Sequence, residues 1–179
     1  MQDDSGKPGN IDIRVVAPEQ IFSTLDPSPF RSRDLDSDAE EYIVACAREL
    51  PKNAPIRINI HLADRLRSGH NEAEVAEAVR NYFRYRAEST KAELKELFRL
   101  GWRYLAVGAP ILIGCLVASQ ALKASGAGGA FERVIEESLV IVGWVANWKP
   151  IEVFLYDWQP LRRRMKIFRR LGDAQIAFA

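Results

Sequence analysis

Residues 104–122 constrain this chain most. These nineteen consecutive residues carry no charge, and Arg103 and Lys123 bracket them. As a helix rising ~1.5 Å per residue the run covers ~28 Å, about the hydrocarbon thickness of a bilayer. Soluble domains rarely carry such a run, so it predicts a transmembrane helix. Bulk composition hides it, because 27% of the 179 residues are charged.

A second apolar run, 139–148, is about ten residues long and too short to span alone. Extending it to Trp158 takes in Lys149, Pro150, Glu152 and Asp157. Each charge held mid-bilayer costs roughly 2.5–3.5 kcal/mol on the insertion scale. Two arrangements answer this. A bent span can bury Lys149 and Glu152 as a pair, three apart on one helix face. Alternatively the helix bends at Pro150 and its lower half lies near the cytoplasmic interface, where Trp144, Trp148, Tyr156 and Trp158 suit an aromatic belt. The insertion cost favours the second.

Charge placement orients the pair. The net charge of +1 gives no general affinity for nucleic acid. Basic residues, however, crowd the flanks. Six precede the first span (Arg84, Arg86, Lys91, Lys95, Arg99, Arg103) and six follow Trp158 (Arg162, Arg163, Arg164, Lys166, Arg169, Arg170). The linker 123–137 holds two, Lys123 and Arg133. The positive-inside rule therefore puts both termini in the cytoplasm. The first ten residues offer neither a basic n-region nor an apolar h-region, so the first span is expected to direct insertion. The two cysteines, Cys46 and Cys115, fall in different regions and imply no disulfide framework.

The polar N-terminal part reads as a small α/β head. Residues 1–10 form a disordered lead-in. Over 11–16, Ile11, Ile13 and Val15 alternate with Asp12 and Arg14, which predicts a half-buried strand. Pro27-Ser28-Pro29 forces a loop. Asp36, Ser37 or Asp38 can cap a helix that stops before Pro51. After Pro55, Ile56, Ile58, Ile60 and Leu62 alternate with Arg57, Asn59 and His61. The expected core is Ile13, Val15, Tyr42, Ile43, Ile58 and Ile60. One helix on two strands is too little core to stand alone. A third strand is needed, from a neighbour or from the tail 174–178.

From Asn71 or Ser68, either of which can cap it, a long helix runs into the membrane. Val75, Val79, Tyr82 and Phe83 form its apolar stripe, and Ser89-Thr90 is the one place a break would fall. The fold class is thus a membrane α-helical hairpin with a small cytoplasmic strand–helix–strand head and a long connecting helix. The divisions are 1–10 lead-in, 11–70 head, 71–103 connecting helix, 104–122 first span, 123–137 non-cytoplasmic linker, 138–158 second span bent at Pro150, and 159–179 basic amphipathic tail. That tail, with Leu161, Met165 and Phe168 among arginines, suits anionic lipid headgroups.

Four segments have distinctive wording: Leu25-Asp26-Pro27-Ser28-Pro29-Phe30, Arg33-Asp34-Leu35-Asp36, Asp38-Ala39-Glu40-Glu41, and the stretch 143–152 continuing through Leu155-Tyr156-Asp157-Trp158. In them the chain resembles a family of small uncharacterised bacterial two-span inner-membrane proteins. The resemblance covers nearly the whole chain. It implies a bacterial inner-membrane location and carries over neither an activity nor a catalytic residue.

Three sets of residues are site candidates. Asp12, Arg14, Arg57, Asn59 and His61 share the polar strand face and form an interaction face. An enzyme would need a nucleophile or a second base near His61, and neither is evident. Asn147, Lys149 and Glu152 are the polar constellation at membrane depth. Gly101, Gly108, Cys115 and Ser119 form a small-residue stripe on the first span, suited to close packing on the second span or to oligomerisation. Cys46, His61, Asp64 and His70 match no metal spacing, and Ser125-Gly126-Ala127-Gly128-Gly129 lacks the Lys-Ser/Thr of a phosphate loop. No cofactor, metal or catalytic residue is expected. The leading function is a non-enzymatic membrane protein whose head binds a protein partner or its own copies. An oligomeric pore or transport accessory comes second, and a membrane-bound enzyme using His61 third.

Overall fold

The computed structural model describes residues 9–27, 29, 33–51, 54–62, 72–124 and 129–179. The lead-in 1–8, Ser28 in the loop, the candidate caps Ser68 and Asn71, Asp64, His70 and the glycine-rich 125–128 lie outside the described residues. The chain divides into two units, 1–91 with 163–179, and 92–162. It is mostly helical, with one three-stranded parallel sheet.

In the first unit, β1 (Gly9–Val15) and β2 (Ile56–Leu62) pair in parallel, with Ile11 opposite Ile58 and Asp12 opposite Asn59. β3 (Gln175–Phe178) pairs with the other edge of β2, again in parallel, so β2 is central. The tail therefore supplies the missing strand. Strand β1 starts at Gly9, two residues inside the expected lead-in, and ends at Val15.

Alternation sends Ile11, Ile56, Ile58 and Ile60 into the core and leaves Asp12, Arg14 and Arg57 exposed. Helix α1 (Ser37–Glu49) begins at Asp36, whose side chain accepts the Asp38 N–H at 3.0 Å, and it ends just before Pro51. It covers the apolar face with Ile43, Val44 and Ala47. Tyr42, expected in the core, is 51% exposed. Its hydroxyl donates to the Asp12 carbonyl at 3.2 Å. Ile13 and Val15 are only partly buried.

The core is completed by the two helical segments that flank the second unit in sequence. The first turns of α2 (Glu72–Ala124) bring in Val75, Val79 and Phe83. The last turns of α5 (Trp158–Gly172) bring in Phe168 and Leu171, with Phe83 and Phe168 stacked at 6.2 Å. The segment 159–179 is thus not a free tail. From Arg163 on it belongs to the head.

Helix α2 runs from the first unit into the second and is unbroken, at Ser89-Thr90 and at Pro110 alike. Thr90 returns its hydroxyl to the Arg86 carbonyl at 2.9 Å, the usual way a hydroxyl is accommodated within a helix. This helix is long and apolar enough to cross a membrane. Its most apolar window is only 11% buried, whereas the core helix of a soluble fold is mostly buried. The chain comes back as α3 (Ala130–Ala146), α4 (Trp148–Glu152), a π-helical turn (Val153–Asp157) and α5. The segments Arg133–Ala146 and Trp148–Gly172 have span length and apolarity only when taken together, and they meet at 41°.

The break falls at Asn147, not at Pro150. Proline lacks the N–H that would bond the carbonyl four residues back, and its ring crowds that carbonyl. For Pro150 that residue is Ala146, so the helix ends there. Pro150 then occupies the first turn of α4, where no N–H partner is needed.

Candidate functional site

Three residue sets carry chemistry, and each can be built from its own element. On the head, β1 and β2 present Asp12, Asn59 and His61 side by side because these are same-face positions of paired strands. Asn59 Nδ2 donates to Asp12 Oδ1 at 2.9 Å, and His61 Nε2 lies 3.2 Å from the same oxygen. These contacts, the Asn59 hydrogen bond first, hold the Asp12 carboxyl below its ordinary range. On the same face Arg57 donates to the Gln175 side chain of β3 at 3.1 Å. Arg14 stays exposed. An aspartate can orient an imidazole, but acyl or phosphoryl transfer also needs a nucleophile within reach. Among the described residues no Ser, Thr or Cys bonds His61. The arrangement is an exposed, hydrogen-bonded polar strand face.

The free edge of β1 is guarded. Tyr42 occupies the Asp12 carbonyl, and the Val16 N–H is taken by Gln20 Oε1 at 2.9 Å. Unpaired edge groups invite strand addition, and occupying them with side chains discourages it.

The polar residues of the second unit separate into two roles. Asn147 is buried and donates its side-chain amide to the carbonyls of Gly108 at 2.9 Å and Gly143 at 3.0 Å. Its backbone N–H turns back to Trp144 and Val145, so the side chain satisfies a carbonyl that the broken helix leaves over. Lys149 and Glu152 form an exposed i,i+3 pair at 3.0 Å, and Asp157 lies 3.7 Å from the same ammonium. These two residues are therefore separate from Asn147, which serves the packing of the helices.

The helix register places these charges along α2. Gly101 faces Val153 and Phe154, Gly108 faces Ala146 and Asn147, and Gly143 faces Leu112 and Cys115. Lys123 pairs with Glu136 at the other end. Glu152 and Asp157 thus fall beside the charged end of α2, outside the run 104–122, and Lys149 lies within its first turns. Trp102, Tyr104, Trp148 and Tyr156, near this end of the helices in sequence, are exposed. The same contacts show what the small-residue stripe touches. A Cβ on Gly101 or Gly108 would come within 2.8 Å of Val153 Cγ1 or the Ala146 carbonyl oxygen. Cys115 lies against Gly143, and Ser119 is buried.

One constellation escapes sequence reasoning. Glu40, readable only as a first-turn acid of α1, accepts from the Tyr82 hydroxyl and from Arg86 Nη2 at 2.9 Å, and Arg164 stands 3.9 Å away. Arg86 and Arg164 each lie over the Phe168 ring, at 5.3 and 5.4 Å. Burial first, and Glu40 second, push the Tyr82 phenol well above its ordinary range. This node joins α1, α2 and α5, and no local pattern announces it.

Among the described residues no group of three or more His, Cys, Asp or Glu is placed to hold a metal ion. No protein-family model, curated protein or solved structure matches the chain.

Proposed function

We propose that this chain is a two-span protein of the bacterial inner membrane with both termini cytoplasmic. Its hairpin anchors a small α/β head that binds a protein partner or further copies of itself. The observation that carries this reading is the sheet. Strand β1 precedes both helical arms and β3 follows them, yet both flank β2. A chain that begins and ends in one sheet crosses a membrane an even number of times. With α2 as one crossing, the bent arm after it is the other. The basic flanks orient the pair with the head inside, and the resemblance to two-span inner-membrane proteins agrees.

The partner surface is the polar face of Asp12, Arg14, Arg57, Asn59 and His61. Parallel sheets are ordinarily covered on both faces, and here the helices cover one. Labelling tests the topology in a chain whose Cys46 and Cys115 are replaced by serine. In intact cells a cysteine at Gly129 should react with an impermeant maleimide, and one at Ala177 should react only after lysis. The reverse pattern, or protection of both, would overturn the hairpin. Crosslinking before detergent extraction tests assembly, and a mass of one chain with nothing bound would overturn that half.

A pore or transport accessory is the second reading. The π-helical turn Val153–Asp157 beside Lys149 and Glu152 favours it, since such turns recur at functional sites. Proteoliposome conductance that Lys149→Leu removes would put it first.

A further inference from the structure

Helix α5 carries six basic residues and no acidic one over Trp158–Gly172. They do not share one role. Arg164 stands beside Glu40 and over Phe168, and Arg170 donates to the carbonyls of Pro51 at 2.8 Å and Ala54 at 3.0 Å. Those two hold the head together. The apolar side of the helix is also spoken for, because Met165, Phe168 and Leu171 are buried. This helix therefore has no apolar face left to sink into lipid, as an interfacial amphipathic helix would. Arg164 itself stays partly open to solvent, and the other exposed basic residues share one arc. At 100° per residue, Arg162, Arg163, Lys166 and Arg169 fall within about 120° of each other. Arg169 also bears on Glu88. Arg162 stacks over Trp158 at 5.4 Å and is still exposed. Arg163 and Lys166 make no ion pair among the described residues.

The approach to the membrane on α2 is different. There Lys91 pairs with Glu88 and Arg99 with Glu96, so charge is neutralised within the helix. From Trp158, Arg162 and Arg163 lie four and five residues on, ~6–7.5 Å along the helix. A headgroup layer is ~5–7 Å thick on each side of the hydrocarbon. Lys166, one turn further, reaches back along its flexible stem.

We infer that Arg162, Arg163 and Lys166 form a docking surface for the phosphates of anionic lipid headgroups. The surface acts by charge at the membrane boundary, not by insertion of α5. This rests on the proposed membrane hairpin, and its test separates the two.

The full chain in neutral detergent is offered phosphatidylglycerol or phosphatidylcholine, and retained lipids are counted by native mass spectrometry. Wild type should retain phosphatidylglycerol preferentially, and 0.5 M salt should abolish the preference. Each neutralisation among Arg162→Gln, Arg163→Gln and Lys166→Gln should weaken it about fivefold, with the melting temperature unchanged. Arg164→Gln should do the opposite, lowering the melting temperature and keeping the lipid preference. Equal retention of both lipids by wild type overturns the inference, as does a triple variant that keeps the preference. So does inorganic phosphate that competes as well as the lipid at equal concentration. A chain that stays dispersed without detergent overturns the hairpin itself. A chain that needs detergent but ignores lipid charge overturns only the docking surface.

Discussion

The side-chain amide of Asn147 donates to the backbone carbonyl of Gly108 across two helices, at 2.9 Å, and a Cβ on Gly108 would sit 2.9 Å from the Asn147 Oδ1. The hydrogen bond and the missing side chain require each other. In lipid, where water cannot satisfy a carbonyl, such a contact sets which residues of two helices face each other. Gly108→Ala should therefore destabilise the helix pair by about 1–3 kcal/mol, the usual cost of overpacking. Among the described residues nothing lies within 4 Å of a would-be Cβ on Gly114. Gly114→Ala is the matched control and should leave the melting temperature in detergent unchanged.

Asn147→Leu keeps the volume and removes the amide. It leaves the Gly143 carbonyl at the helix break without its side-chain partner, a loss of about 1–3 kcal/mol for a buried group. The melting temperature in detergent reads this loss and should fall in Asn147→Leu.

The exposed Lys149–Glu152 pair should matter little. Pairs of this kind contribute roughly 0–1 kcal/mol, and the helix register sets this one at the edge of the uncharged run. Lys149→Leu and Glu152→Leu should each insert normally, and reversal of both charges should restore whatever the single changes lose. Failed insertion of either single variant would show that the pair sits deeper.

In the head, Phe168→Ala should cost about 3–5 kcal/mol and Ile58→Ala about 2–5 kcal/mol, since both side chains are fully buried. Tyr42→Ala should cost far less because the ring is half exposed. Residues 1–91 alone lack Phe168, Leu171 and β3. Amide exchange in that fragment should show an unprotected β2, with protection returning when 163–179 is supplied as a peptide.

The polar sheet face gives a pH signature. Asp12 is held below its ordinary range by Asn59 and then by His61. A depressed carboxylate stabilises the folded state above its unfolded pKa, and that contribution disappears as pH falls through the lowered value. Asn59→Ala should move the Asp12 titration, followed by carboxyl NMR, up toward the ordinary carboxylate range. An unmoved titration would show that the Asn59 hydrogen bond is not formed in solution.

Periodic and local features were legible in the sequence. The uncharged run 104–122 announced a span-length helix, because backbone hydrogen bonding and bilayer thickness fix how many apolar residues are needed. Period-two alternation over 11–16 and 56–62 announced two strands and their buried faces, Pro51 announced the end of α1, and its start was narrowed to a cap at Asp36, Ser37 or Asp38. Pro150 announced a bend, though its effect falls four residues earlier, on the Ala146 carbonyl.

Tertiary structure alone decided what meets across long stretches of chain. Glu40 looks like any first-turn acid until Tyr82, Arg86 and Arg164 surround it. The α5 arginines look alike until Phe168 turns one side of that helix inward and divides them between the head and the solvent. The tail could be named as a strand, but its place beside β2, parallel and opposite β1, depends on the path between them. Local pattern sets which face of an element is apolar. Only packing sets which neighbour covers it, because burial is non-directional and any apolar face of fitting shape can serve.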